Sequence, residues 1–409
     1  MTRNAQLKTG YVILEGLNSF ATVYYFYYLY FFMQKSFGFG NKANLALAAL
    51  NGMVCAPAAW WGGRFGQRFG YFTALKLGFA IMIAALAAGT QASSAMAHTL
   101  ILAVTVFGMS LTWPTLEALV SEDETPAGLQ SMVGIYNVIW AGTAALANFT
   151  GGAMLDKLGL TSLFYVPIAF LVVQLGLTLW LEAQARRRIV GQASVVTSSS
   201  PSREANNTDS VATAVLRTQT NPRPIARTRM FLRMAWFANP FAYIAINTLV
   251  AVIPGLAAKL GLSTMLAGFC CSVWCFARLG AFFALWIWDG WHYRFRWLLL
   301  AYVALIGAFA VILLVPDLTA LVLAQIFFGG ALGLIYYSSL FYSMDISEAK
   351  GAHGGIHEAA IGLGNFAGPA IGAASLHFLP QQPNSGVFAV TILLLSGLAG
   401  LLVIRRLGR

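Results

Sequence analysis

Residues 298–315 read LLLAYVALIGAFAVILLV, eighteen consecutive positions without a charge or a side-chain amide. A helix rises about 1.5 Å per residue, so a run of this kind crosses most of the roughly 30 Å hydrocarbon core of a bilayer. Comparable runs recur from one end of the chain to the other, and in hydrocarbon a helix satisfies its own backbone polar groups. The expected fold class is therefore an all-α polytopic membrane protein. Twelve transmembrane helices are expected, at 10–33, 43–62, 71–91, 98–120, 130–154, 160–182, 229–256, 262–288, 296–315, 318–343, 351–378 and 386–404. Hydrophobic residues make up 58% of the 409 and charged ones only 10%, a balance that no water-soluble core of this size needs.

A net charge of +11 raises nucleic acid as a partner, but the distribution of the charge answers differently. With the N-terminus in the cytoplasm, all but five of the 25 Lys and Arg residues fall at or near cytoplasmic segments, the five being Lys35, Lys42, Lys157, Lys259 and Arg278. That is the positive-inside bias. It puts both termini in the cytoplasm, favours a bacterial-type cytoplasmic (inner) membrane as the location, and leaves no role for nucleic acid. The opposite orientation would strand Arg186, Arg187, Arg188, Arg405, Arg406 and Arg409 outside. The first span follows MTRNAQLKTG, carries Glu15 and lacks a small-residue cleavage site, so it is expected to stay as helix 1 and not to be removed as a signal peptide. Cys55, Cys270, Cys271 and Cys275 all fall inside spans at spacings that match no zinc pattern, and apolar packing explains them.

Between Ala183 and Thr228 the composition turns to Ser, Thr, Asn, Pro and Arg, with SSSPSREANNTDS at the middle. Such a segment buries too little apolar surface to order itself. Residues 183–228 are expected to form a flexible cytoplasmic linker between two pseudo-symmetric six-helix bundles, 1–182 and 229–409. Short matches tie the halves together. NSFA at Asn18 answers NPFA at Asn239 and FG at Phe107 answers FG at Phe328, both at an offset of 221 residues, while NF at Asn148 answers NF at Asn365 at 217. Repeated six-span halves are the arrangement of transporters that rock two domains around a site near the bilayer midplane.

Between spans 2 and 3 stands GRFGQRFGYF, starting at Gly63. Here the chain resembles, over its whole length, the major facilitator superfamily, whose loop motif reads Gly-x-x-x-Asp-Arg-x-Gly-Arg-Arg. Gly63, Arg68 and Gly70 match, whereas Gln67 stands for the Asp and Tyr71 and Phe72 for the two Arg. The resemblance implies a secondary transporter of twelve helices, with the tight turn of this loop kept and its charge relay weakened. GNFAGPAIG in span 11 resembles a Gly-rich, Pro-containing motif that the family's exporters carry in span 5. It lies in the other half, and the matching NFTGGA at Asn148 lacks the Pro, so it does not mark an exporter. The equivalent loop of the second half, WIWDGWHYRFRW at Trp286, keeps Asp289, Arg294 and Arg296 beside tryptophans; with Trp60 and Trp61 these form an aromatic belt at the headgroup level.

A charge at the centre of a membrane helix costs roughly 2.5–3.5 kcal/mol on insertion scales, so each one needs a reason. Glu15, Glu117, Arg278, His357 and Glu358 qualify, while Lys76 and Asp345 lie near enough to span ends to snorkel. Glu358 is expected about 10 Å inside the cytoplasmic end of span 11, on the face it shares with Asn365, with His357 turned about 100° away. Two roles are open to the pair: proton coupling, or a neutral hydrogen-bonded contact that holds helix ends at a gate. Glu117, Arg64, Arg68 and Asp345 join them as coupling or gating candidates, the acidic loop SEDE at Ser121 being placed to pair with Arg64 or Arg68. Span 1 carries Glu15, Asn18, Thr22 and Tyr25 at spacings of three, four and three, which is one helical face. Asn239 holds the place of Asn18 in span 7, so the two amides either face a solute or glue helices together. Arg278 either neutralises Glu358 or Glu117 or binds an anionic group of the solute. Trp113, Asn137, Trp140, Tyr336 and Asn365 complete the expected substrate-binding set, aromatic surface that suits organic solutes with flat or apolar parts.

No P-loop and no catalytic or metal-ligand spacing is present, so neither an enzyme nor a cofactor or metal is expected. The energy should come from an ion gradient or from the solute's own. The expected function is secondary active transport of a small organic solute across the inner membrane by alternating access, as proton-coupled import by a monomer. Its partners are the solute, protons or another cation, and membrane lipid. The alternatives are a proton-driven exporter of amphipathic compounds and a lipid-handling or non-transporting membrane protein of the same fold.

Overall fold

The computed structural model describes residues 3–122, 126–198, 225–346 and 350–407, which are helical apart from short turns and caps, with no strand among them. The first half comprises α1 (Arg3–Phe37), α2 (Asn41–Phe69), α3 (Tyr71–Gly89), α4 (Ala95–Ser121), α5 (Pro126–Leu158) and α6 (Ser162–Ser198). The second comprises α7 (Ile225–Lys259), α8 (Thr264–Cys271), α9 (Val273–Ile287), α10 (Phe295–Leu314), α11 (Leu318–Ile346), α12 (Lys350–Phe378) and α13 (Ser385–Leu407). α8 and α9 are one crossing interrupted at Ser272, so the thirteen helices make twelve crossings. Eleven of them are long and apolar enough to traverse a membrane. α1 falls short because Tyr24, Tyr25, Tyr27, Tyr28 and Tyr30 stand where aliphatic residues would raise its hydropathy. With an even number of crossings both chain ends emerge on one side, the terminal face.

The helices overrun the expected spans, and two differences have a clear cause. GRFGQRFG is not a loop: it forms the last two turns of α2, and the chain turns at Gly70 alone. Gly70 adopts φ 95, which favours glycine, and its N–H donates to the Gly66 carbonyl at 2.9 Å. Likewise α6 continues to Ser198, through residues expected in the linker. Its charged turn is held by Glu182, which pairs with Arg186 four residues on at 2.7 Å and with Lys76 of α3 at 2.7 Å. Residues 199–224 of the expected linker lie outside the described residues.

Apolar side chains gain nothing by leaving hydrocarbon for one another, so membrane helices associate where small residues let backbones approach. α3 and α4 touch at Gly78 and Gly108, where a Cβ on either would lie 2.7 or 2.9 Å from the other's carbonyl oxygen. At the terminal face, Lys8 of α1 donates to the carbonyls of Val120 at 2.8 Å, Leu119 at 3.4 Å and Glu122, placing a cation where α4 runs out of hydrogen-bond donors.

The two bundles meet along two antiparallel seams, α2 against α12 and α5 against α8 and α9. On the first, Gly355 lies beside Ala59 and Gly63, Gly362 beside Ala56 and Gly372 beside Leu45. On the second, Gly134 faces the Trp286 ring, Gly142 faces Leu279 and Gly152 meets the Thr264 backbone. Contact therefore reaches from the terminal face to the opposite face on both sides of the molecule, and the space between the seams is bounded laterally by both bundles. Of the repeated pairs, Asn18 and Asn239 are both fully buried, whereas Phe107 is 36% exposed and Phe328 is not exposed at all. The repeat relates helices more faithfully than it relates side-chain environments.

Candidate functional site

Between the seams lies a cavity with about 800 Å³ of atom-free space. The first bundle lines it with Thr22, Val23, Phe26 and Tyr27 of α1, Asn51 and Cys55 of α2, Met109 and Trp113 of α4 and Trp140 of α5. The second supplies Tyr243, Ile246 and Asn247 of α7, Arg278 of α9, Tyr336 of α11, and Glu358, Ile361 and Asn365 of α12. Each helix brings one to three polar or aromatic groups, the pattern of a solute pocket with few, fixed recognition groups.

The aromatic groups form one assembly. Trp140 meets Trp113, Phe282 and Tyr336 edge-on, with ring centroids 6.0, 5.7 and 5.3 Å away. Its indole N–H donates to Asn137 Oδ1 at 3.1 Å, one turn earlier. The Arg278 guanidinium lies over the rings of Trp140 at 4.4 Å and Trp274 at 4.9 Å. No ion pair reaches it among the described residues, and its Nε has no hydrogen-bond partner. The expected neutralisation of Glu358 or Glu117 by Arg278 is not what the structure contains. On α12, Asn365 accepts a hydrogen bond from the Asn247 amide of α7.

Toward the terminal face the cavity ends at a cluster of buried ionisable groups. Glu117 of α4 and His357 and Glu358 of α12 each bring a polar atom within 4.8 Å of the other two. Neither Glu117 oxygen nor His357 Nε2 has a hydrogen-bond partner, while His357 Nδ1 faces the Ser339 hydroxyl of α11 at 3.1 Å. The close approach depends on Gly354, since a Cβ at that position would lie only 3.0 Å from Glu117 Oε2. A carboxylate, a second carboxylate and an imidazole at this range are the donors that would hold a proton or a metal cation. Glu15 is fully buried nearby, both oxygens without a hydrogen-bond partner, with the Tyr136 hydroxyl turned toward it.

Of the residues expected to bind substrate, Trp113, Trp140, Arg278, Tyr336 and Asn365 line the cavity. Asn137 acts one layer behind, through Trp140. The stripe of Glu15, Asn18 and Tyr25 faces the interior of the first bundle: Asn18 donates to Thr112 at 3.3 Å, and Tyr25 packs on Phe164 at 6.4 Å. α1 is rotated so that Val23, Phe26 and Tyr27 look into the cavity, with Thr22 at the border. Asn239 is fully buried in α7 and does not line it either. Among the coupling candidates, Glu358 faces both cavity and seam, and His357 packs against Tyr336 at 5.1 Å. Arg64 lies over its own neighbour Trp60 at 3.8 Å and donates to the Trp60 carbonyl at 3.3 Å; Arg68 lies over Phe69 at 5.3 Å. Asp345 sits in the last turn of α11, and its side chain, like Asp123 and Glu124 of the acidic loop, lies outside the described residues. Trp60, Trp61 and Trp288 are 49, 42 and 43% exposed, whereas Trp291 is buried against Tyr337 and Phe341.

Thr22, Val23, Phe26, Tyr27, Asn51, Cys55, Met109, Tyr243, Ile246, Asn247 and Ile361 line the cavity without being in the expected binding set. For Asn51 and Asn247 a signal exists, an amide inside an apolar span, the same one that singles out Asn18. Thr22 shares the polar stripe of span 1 and so carries a signal as well; for the others there is none.

Two six-crossing bundles packed around a central cavity define a membrane transporter fold. Residues 123–369 match the model of the Major Facilitator Superfamily, and the chain belongs to that family. Among solved structures, the human organic anion transporter MFSD10 (TETRAN) aligns over 98% of this chain and 100% of its own, at 14% identity and a TM-score of 0.65. The nucleoside transporter NupG, solved as a point mutant, aligns over 98% of each chain, at 14% identity and a TM-score of 0.66. At such identity the likeness is one of fold. No curated protein sequence is similar enough to match.

Proposed function

We propose that the protein is a proton-coupled secondary transporter that takes up a small organic solute by alternating access. The supporting observation is that the buried ionisable cluster is divided between the halves, Glu117 on the first bundle and His357 with Glu358 on the second, within 4.8 Å of one another. Two carboxylates so close repel strongly in a low-dielectric setting unless a proton or cation lies between them. Holding the proton lets α4 and α12 meet and closes the terminal face; losing it drives the bundles apart there. The charge distribution makes that face cytoplasmic. A proton that arrives from the opposite side through the cavity and leaves at the cytoplasmic side thus carries the cycle inward. Solute and proton have separate anchors in one cavity, Arg278 for the first and the carboxylates for the second, so neither has to displace the other, which favours symport over exchange.

Proteoliposomes loaded at one pH and diluted into another provide the test. Candidate metabolites are screened for uptake that follows an inward proton gradient, and the hit is then measured with Glu358→Gln and Glu117→Gln. Each variant is expected to keep solute binding and to lose accumulation against a concentration gradient. Accumulation that persists in either variant, or that is indifferent to collapsing the gradient with a protonophore, would remove the coupling.

A further inference from the structure

The Arg278 guanidinium is an uncompensated charge. The residue is 5% exposed, its Nε has no hydrogen-bond partner, and among the described residues no carboxylate pairs with it. Arginine stays protonated in proteins, so the side chain carries a full positive charge wherever it sits. The indoles of Trp140 and Trp274, 4.4 and 4.9 Å from the guanidinium carbon, offset part of its desolvation through their faces but bring no counter-charge. Its remaining open side is the cavity. The cavity's own carboxylate, Glu358, belongs to the cluster with Glu117 and His357 and makes no ion pair with Arg278. An anion entering between the seams therefore meets a cation on α9 and a carboxylate on α12, and its orientation follows from those two charges.

We infer that the cavity selects organic anions. A carboxylate on the solute takes the guanidinium fork of Arg278, in the planar two-point geometry that arginine offers, and a flat apolar body lies along Trp113, Trp140 and Tyr336. This assignment names the substrate class of the site proposed above and rests on that cavity being where solute binds. It also accounts for why the position is arginine: the planar cation stacks between two indoles while keeping its donors free, which a lysine ammonium does not do.

The test is an equilibrium one. The full chain in lipid nanodiscs is titrated with 2-naphthoate and with its neutral isostere 2-naphthamide, each corrected for uptake by empty nanodiscs. Saturable binding of the anion, about tenfold or more tighter than that of the amide, is the expected result, since a hydrogen bond to a charged partner is worth at least that factor. Arg278→Gln should level the two ligands, and Arg278→Lys should keep part of the preference. Equal affinity for the two ligands in the wild-type protein, no saturable binding of the anion, or a preference that survives Arg278→Gln would overturn the inference; the comparison on the wild type needs no variant to fold. Anion preference in a protein that shows no gradient-driven flux would remove the coupling proposed above and leave this assignment standing. Gradient-driven flux without anion preference would do the reverse.

Discussion

One hydrogen bond orients the ring on which the cationic pocket depends. Trp140 donates to Asn137 Oδ1 at 3.1 Å, and the indole so placed covers Arg278 on one side and meets Trp113 and Tyr336 on the others. Asn137→Leu keeps the branched shape, at a larger volume, and deletes the acceptor, leaving a buried N–H unpaired at a cost of about 1–3 kcal/mol. The thermal midpoint of the detergent-solubilised variant should fall by a few degrees; an unchanged midpoint would mean that ring contacts alone hold the indole. The residue scale is also where the sequence is most uneven as a guide. Arg278, Trp140 and Glu358 stand out because a charge or an indole is costly in an apolar span and so advertises itself. Tyr27 does not, since in YYFYYLYFF every position looks alike and only the rotation of α1, set by its neighbours, decides that Tyr27 faces the cavity and Tyr25 faces Phe164.

At the scale of the element, the break between α8 and α9 shows what a hydropathy pattern leaves out. Residues 262–288 read as one unbroken span, yet Ser272 departs from helical geometry with φ −100 and ψ −2, which frees backbone groups inside the membrane. Such groups need protein partners, because lipid offers none. Gln325 of α11 provides them: its Nε2 donates to the Cys270 carbonyl at 2.8 Å, and its Oε1 accepts from the Trp274 N–H at 3.4 Å. Gln325→Leu should therefore destabilise the protein by about 1–3 kcal/mol and move Trp274, one of the two rings stacked on Arg278. The measurements are a thermal midpoint and the affinity for 2-naphthoate, and both are expected to fall together; a variant with wild-type values for both would show that the break needs no patch. Nothing in the sequence announces the break, as no proline or glycine marks it. The partnership between Gln325 and α8 joins positions far apart in the chain, beyond the reach of any local pattern.

For the whole molecule, the number of crossings was legible from the apolar runs, because bilayer thickness dictates how long each must be. Which ends of the seams are closed was not, since that depends on contacts between halves. At the face opposite the termini the clasp is Asp156 of α5. One carboxylate oxygen accepts from Lys35 Nζ at 2.8 Å, and the other from the Met265 N–H at 2.9 Å, where α8 begins. A carboxylate from the first bundle thus caps a helix of the second, which an ion pair within one bundle would not achieve. The pair with Lys35 lies within the first bundle and does not bear on closure, so the cap, worth about 0.5–2 kcal/mol, sets the effect, and Asp156→Ala should shift the balance between closed and open forms of this face by roughly tenfold. Cys271 reports the change. It is 8% exposed, seven residues along α8 from Thr264, and lines a small pocket with Tyr28 and Asn148 at the α5 seam. In a background with Cys55, Cys270 and Cys275 replaced by Ala, a membrane-impermeant maleimide added from this side should label Cys271 about tenfold faster when Asp156→Ala is present. Adding Glu117→Gln, which removes the repulsion at the terminal face, should raise the rate further, because a molecule that can no longer part at one end spends more time open at the other. Equal labelling with and without Asp156→Ala would mean that the glycine contacts of the seam, and not this clasp, keep the face shut.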